Sequence, residues 1–199
     1  MPSVVHSFDP PERFVAGTVG DPGSRTFFLQ ARGDTTNGGS ALTSVALEKQ
    51  QVALLAERVD ELLDEVTGLA EGVVPAVAPF ELDDNEPLDQ PIEEEFRAGT
   101  MTLSWDPGDE RVVIEVFPVD ETVAYVSETA EGEQHIEVDE PEPDEVLLIR
   151  ISPGQARAFA KRAQQVVSAG RPDCPFCGGP VDPAGHLCPR ANGFRRRDP

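Results

Sequence analysis

The sequence predicts an α+β protein in which β-β-β-α units stand in tandem, each with antiparallel strands and a covering helix, ahead of a small C-terminal segment. Three observations lead there. Two Asp-Pro-Gly turns each separate a pair of apolar runs. Two amphipathic stretches repeat one apolar pattern at an offset of 104 residues. All three cysteines fall between positions 174 and 188.

Phe14–Thr18 and Arg25–Leu29 read as the strands of a hairpin around Asp21-Pro22-Gly23. Phe96–Thr100 and Arg111–Ile114 read as its counterpart around Asp106-Pro107-Gly108. Proline presets φ in such a turn, and glycine accepts the positive φ that closes it. Thr43–Leu47 reads as a third strand and runs into a helix from about Lys49 to Val66. Glu145–Ile151 runs likewise into a helix from about Pro153 to Ser168, with Ser152-Pro153 as N-cap and first-turn residues. Val52, Leu55, Ala56, Val59, Leu62 and Leu63 recur at helical spacing. Adding 104 gives Ala156, Phe159, Ala160, Ala163, Val166 and Val167, all apolar; Gln51 falls on Gln155 and Arg58 on Arg162. The expected body, residues 1–170, thus holds copy one at about 8–66 and copy two at about 96–170, with residues 171–199 as a separate segment.

The stretches between these elements are polar. Arg32–Ser40 reads as a flexible glycine-rich loop; it lacks the Gly-Lys-Ser/Thr ending of a phosphate-binding loop and precedes a strand. The linker 67–95 and the connection 118–144 are rich in proline and carboxylates, and both read as mobile. Net charge is −21. Residues 171–199 hold five arginines against three aspartates, so the first 170 residues carry −23. Such a body repels nucleic acid and anionic membranes at long range and attracts basic partners. No apolar run approaches the ~18 residues of a membrane span. Met1–His6 has neither the basic nor the apolar region of a signal peptide. The expected location is cytoplasmic, with reduced cysteines.

Cys174-Pro175-Phe176-Cys177-Gly178 is followed by His186-Leu187-Cys188-Pro189. Zinc takes thiolate sulfur and imidazole nitrogen in a tetrahedron. Two cysteines separated by two residues reach one metal only across a tight turn. Pro175 favours that turn, and Gly178 suits the position where positive φ aims backbone amides at sulfur. His186 and Cys188 suit a second short turn. Four ligands leave no open position, so a zinc at Cys174, Cys177, His186 and Cys188 is structural rather than catalytic. Three clustered cysteines do not make a disulfide framework. The glycine and proline after Cys177 do not suit a redox pair, which opens a helix.

The run from Cys174 to Gly193, of the form CPxCGxPxDPxGHxCPRxNG, resembles the C-terminal signature of an actinobacterial family of unknown function. The opening Phe8-Asp9-Pro10-Pro11-Glu12-Arg13-Phe14 is similar as well, so the resemblance extends over the whole chain. It implies a cytoplasmic protein with zinc at the four residues named, and no activity.

No nucleophile elbow, dinucleotide fingerprint or zinc-protease motif is present. His6 and His135 read as surface residues, and Trp105, the sole tryptophan, as packing beside the second turn. The reading is an interaction or regulatory factor. Its zinc knuckle would present Arg190, Asn192, Phe194, Arg195, Arg196 and Arg197 to a protein partner, to RNA, or to the protein's own acidic inserts. Net charge disfavours RNA. The alternative is an enzyme with a site in the cleft between the copies, drawing on Arg58 and Arg162 or on the loop 33–41.

Overall fold

The computed structural model describes residues 4–36, 38–68, 74–119, 144–170, 174–179, 181 and 186–190, and the backbone of 123–128 and 134–139. In chain order the elements are β1 (Val4–Phe8), β2 (Arg13–Val19), β3 (Thr26–Asp34), β4 (Ser40–Leu47), α1 (Lys49–Thr67), a 3-10 turn (Phe80–Leu82), β5 (Glu94–Asp106), β6 (Arg111–Pro118), β7 (Val123–Glu128), β8 (Gln134–Asp139), β9 (Glu145–Ile151) and α2 (Pro153–Ser168).

Seven strands form one mixed sheet in the order β1-β9-β6-β5-β4-β3-β2. Within β2-β3-β4 and within β5-β6-β9 every pairing is antiparallel, as the turn chemistry requires. The two groups join through a parallel contact between β4 and β5, and β1 adds to β9 in parallel. Parallel neighbours need a crossover, and α1 lies on the one from β4 to β5. β1 ends at one edge of the sheet with Phe8, and β2 begins at the other edge with Arg13. So few residues reach across only if the sheet curls until its edges approach. Phe8 accordingly bridges Thr35, just past β3, and the Thr36 N–H donates to Ser7 O at 3.1 Å.

Both helices contribute to one core with the sheet. Val52, Val59 and Leu63 from α1 and Ala156, Phe159 and Ala163 from α2 are buried with Phe8, Leu29, Ile114 and Ile149. The Phe14 and Phe159 rings stack at 4.5 Å. Each helix opens with a capping box: Gln51 Oε1 accepts from Glu48 N–H at 2.8 Å, and Gln155 Oε1 from Ser152 N–H at 3.0 Å. The second half of α1 faces the first half of α2, where Arg157 binds Asp60 and Asp64. Past the end of α2, a Cβ at Gly170 would stand 3.5 Å from Lys49 Nζ, at the start of α1, so the helices run antiparallel. Among the described residues no helix is long and apolar enough to cross a membrane.

The offset of 104 also appears in the strand pairing. Val45 lies opposite Leu29 and Phe96; Ile149, 104 residues later, lies opposite Ile114 and Phe8. By that register Phe8 stands where Phe96 stands, and Ala16 where Leu103 stands. This corrects the match of Phe14–Thr18 with Phe96–Thr100. Those segments look alike but pair differently: Phe14 faces Ala31 on β3, whereas Phe96 faces Val45 on β4. The physical reason is the pair Pro10-Pro11. Proline has no ladder donor, so the first group splits into β1 and β2 what β5 makes as one bulged strand of 13 residues.

The linker is where the expectation of mobility fails. Residues 74–92 run across the body as a strap. Leu88 seals the sheet's second face against Val15, Phe28 and Ala46. A Cβ at Gly17 would come within 2.5 Å of the Leu88 side chain, so any larger residue at that strand position would have to displace Leu88. Arg13 binds Asp84 (2.6 and 3.0 Å) and Asp89 (3.0 Å), and donates to Glu86 O and Pro87 O. Arg162, only 9 % exposed, donates to Ala16 O at 2.9 Å, Asp84 Oδ1 at 2.6 Å and Glu86 O at 2.6 Å. Gln30 exchanges two hydrogen bonds with the Asp89 backbone. The strap's carboxylates looked solvated because their arginine partners lie far away in sequence.

Two further stretches are more regular than expected. β3 runs to Asp34 and β4 starts at Ser40, so the glycine-rich loop shortens to residues 35–39, of which Asn37 lies outside the described residues. The connection 118–144 contains the β7-β8 hairpin, Val123 opposite Asp139 through Glu128 opposite Gln134.

The hydrogen bond from Arg13 holds the Asp84 carboxyl below its ordinary range, against the opposing effect of burial. A depressed folded-state pKa contributes stability that is present above the unfolded value and is lost as pH falls through the folded one. Asp84→Ala is expected to cost about 3 kcal/mol near neutral pH, because Arg162 stays buried without its carboxylate. In urea unfolding, the gap between wild type and Asp84→Asn should be constant above about pH 5 and close below about pH 4. A gap that persists in acid would remove the ion pair as its source. Phe159→Ala should cost about 3–5 kcal/mol in the same assay, as a large buried ring is lost.

Candidate metal centre

A tight turn at Cys174–Gly178 and the stretch His186–Cys188 bring the cysteines and histidine together. The Gly178 N–H donates to Cys174 O at 2.8 Å and closes the first turn, and Gly178 takes φ of 72°, the left-handed region that glycine enters without a Cβ penalty. The Cys174 N–H donates to Gly179 O at 2.7 Å, which ties the turn to its own exit. Cys174 and Cys188 are buried; Cys177 and His186 are half-buried. The ligand atoms of Cys174, Cys177, His186 and Cys188 all lie within 4.8 Å of one another, so the group could hold a metal ion.

The spacing fits one ion. Sulfurs each ~2.3 Å from a tetrahedral metal lie ~3.8 Å apart, and a sulfur–nitrogen edge is slightly shorter. Cys174 Sγ and Cys188 Sγ are 3.8 Å apart, and Cys177 Sγ and His186 Nε2 are 3.3 Å apart. The thiols are unequal. Burial acts to raise Cys174, but the N–H groups of Phe176 and Cys177, with hydrogen bonds from the other two thiols, outweigh it and hold Cys174 below the usual thiol range. The Gly179 N–H acts to lower Cys177, yet burial and the neighbouring thiols push it up. Three sulfurs crowded together resist collective ionisation, which a dication would relieve.

The other anticipated residues are dispersed. Arg190 is exposed, and its NH1 donates to Phe176 O at 3.1 Å. Asn192, Phe194, Arg195, Arg196 and Arg197 lie outside the described residues. Arg58 and Arg162, matched by the offset, share no partner. Arg58 is exposed and pairs with Glu61 at 2.7 Å, while Arg162 is buried beneath the strap. Burial lowers the pKa of Arg162, and Asp84 works against that shift. A cavity of about 90 Å³ beside Arg162 and Asp84 is lined by Glu12, Arg13, Phe14, Gln155 and Phe159; Arg13 and Arg162 are both bound to Asp84 there, and Glu12 pairs with Arg32. Sequence reasoning missed Arg13 and Asp84. The one available signal was the concentration of carboxylates in the linker, without the identity of their partners. His6 is half-buried on β1, its ring 6.5 Å from that of Phe96, and Trp105 packs against the core.

Cobalt(II) added to the reduced chain should give thiolate charge-transfer absorption with tetrahedral d–d bands, and Cys174→Ser should diminish both. Because protons compete for the same sulfurs and imidazole, the absorption should fall as pH is lowered. An octahedral spectrum would mean that the four groups do not converge on one ion.

No curated protein and no solved structure matches this chain. A family described as "Protein of unknown function (DUF3090)" matches residues 6–188, from β1 to the last cysteine of the cluster. The match spans both strand groups, the strap and all four candidate ligands, and the chain belongs to this family of unknown function.

Proposed function

We propose that the protein is a non-enzymatic interaction or regulatory factor of the cytoplasm, with a structural zinc ion folding its C-terminal segment. The observation that carries this reading is the convergence of four zinc-type donors within 4.8 Å of one another. Three cysteines and a histidine fill a tetrahedron and leave no position for substrate. Thiolates serve as ligands only where they stay reduced, which favours a cytoplasmic setting. Residues 171–199 form the zinc segment, and residues 1–170 form a scaffold descended from one duplicated β-β-β-α unit. The common offset of 104 in pairing register, helix stripe and capping glutamine supports that descent. The partner is a protein. The −23 of the body opposes RNA, although the terminal arginines would bind it weakly at low salt.

Elemental analysis of reduced, tag-free protein tests the metal. The expected content is ~1 zinc per chain. Cys177→Ser should release it and loosen the C-terminal segment while the far-ultraviolet circular dichroism of the body persists. Protein that purifies without zinc and takes up none would overturn the reading.

A further inference from the structure

A chain with 37 carboxylates against 16 lysines and arginines has an anion at hand for every cation. Most of its described cations are accordingly ion-paired, Arg13 with Asp84 and Asp89, Arg150 with Asp9, Asp106 and Asp109, Arg157 with Asp60 and Asp64. The side chains of Arg25, Lys49 and Arg111 make neither an ion pair nor a hydrogen bond among the described residues. Arg111 opens β6, but Arg25 and Lys49 stand together. The β3–β4 register brings them there. Phe27 lies opposite Leu47 as the last pair of that ladder, and both are buried. Glu48 is still extended, at φ −81° and ψ 151°, so two residues beyond the pair on each chain come Arg25 and Lys49. Both side chains turn toward the end of α2. A Cβ at Gly170 would stand 3.5 Å from Lys49 Nζ and 3.8 Å from a terminal nitrogen of Arg25.

With Gly23, Phe27 and Gly170 the two cations line a cavity of about 240 Å³. Among the described residues no carboxylate lines it, whereas Asp84 lines the cavity beside Arg162, and Asp60, Asp64 and Asp83 line the groove between α1, α2 and the strap. The neighbouring Glu48 is taken by the α1 cap and by Arg97 at 3.3 Å. Arg25 is positioned without any anion: its guanidinium carbon lies over the Phe27 ring, 5.6 Å from the centroid. That stacking leaves all five of its N–H donors available. Like charges brought face to face repel, and an oxyanion between them would turn the repulsion into two charge-assisted hydrogen bonds.

We propose that the cavity between Arg25 and Lys49 is an anion site whose ligand is a phosphate group, either the inorganic ion or the phosphate ester of a small molecule. Two fixed positive charges are matched by two negative ones. A phosphate near neutral pH carries almost two on one centre, with enough oxygens to meet a guanidinium edge and an ammonium at once. A carboxylate carries one. Gly23 in the Asp-Pro-Gly turn, at φ 107°, and Gly170 past α2 have no side chain to fill the space. The site is independent of the metal, because none of its residues belongs to the Cys/His cluster.

The test is titration of the full, isotope-labelled chain with inorganic phosphate and, separately, with phenyl phosphate, followed by amide chemical shifts. Sodium chloride holds the ionic strength constant. The amides of Gly23, Arg25 and Gly170 should shift and saturate as phosphate replaces chloride. Tighter binding of phenyl phosphate would mark an esterified ligand, and equal or weaker binding the free ion. Arg25→Gln and Lys49→Gln should each weaken binding by about tenfold, the loss of one charge-assisted hydrogen bond. Neither side chain has a protein hydrogen bond to lose, so both variants should keep the fold, which their unperturbed distant amides check. Lys49→Arg, which keeps the charge, and Arg111→Gln, outside the cavity, should bind like wild type. Shifts that never saturate with either phosphate would overturn the site. Saturation that survives undiminished in Arg25→Gln and Lys49→Gln, or that Arg111→Gln weakens as much as they do, would overturn it equally.

Discussion

A guanidinium taken out of water needs partners for all its donors, and the burial of Arg162 dictates the path of the strap. Its Nε is committed to Ala16 O on β2, so the remaining donors must be met from outside the sheet. Asp84 and the carbonyl of Glu86 meet them, while Arg13 takes the other face of the same carboxylate and reaches on to Asp89. A second cation close to Arg162 would be repulsive without the carboxylate between them. One aspartate therefore couples α2, β2 and the strap, three parts of the chain with no local reason to meet. Leu88 then lands on Val15, Phe28 and Ala46, and the second face of the sheet is sealed.

Curling of the sheet follows from a similar economy of connection. Only Asp9–Glu12 separates a strand at one edge from a strand at the other, so flatness is excluded by chain length. The curled face needs filling from both ends. Two antiparallel amphipathic helices do this, with Phe159 reaching the ring of Phe14 on β2. A body of charge −23 is held together in this arrangement because its buried arginines lie where the strap's aspartates can reach them.

The Cys/His cluster obeys a different logic. It is built from one tight turn and the short stretch His186–Cys188, and few residues bring its four candidate ligand atoms together. Its apolar residues Phe176 and Leu187 point outward instead of packing inward. A metal ion held by these four groups would tie the two parts of the cluster together, and all the cysteines of the protein lie there.

What could be read from the sequence was local. The helices at about 49–66 and 153–168 follow from the spacing of Val52, Leu55 and Val59 and of Ala156, Phe159 and Ala163. The hairpins follow from two Asp-Pro-Gly turns, and the grouping of Cys174, Cys177, His186 and Cys188 from their short spacing. Each of these signals is complete within a few residues. The tertiary structure alone decided that the strand groups join in parallel, that Phe8 and not Phe14 takes the position of Phe96, and that an acidic linker is a strap. Those outcomes depend on pairings such as Arg13 with Asp84, 71 residues apart, and Arg162 with Ala16, 146 apart. A carboxylate in a linker looks the same in sequence whether it faces water or a buried arginine; only the fold brings the arginine to it.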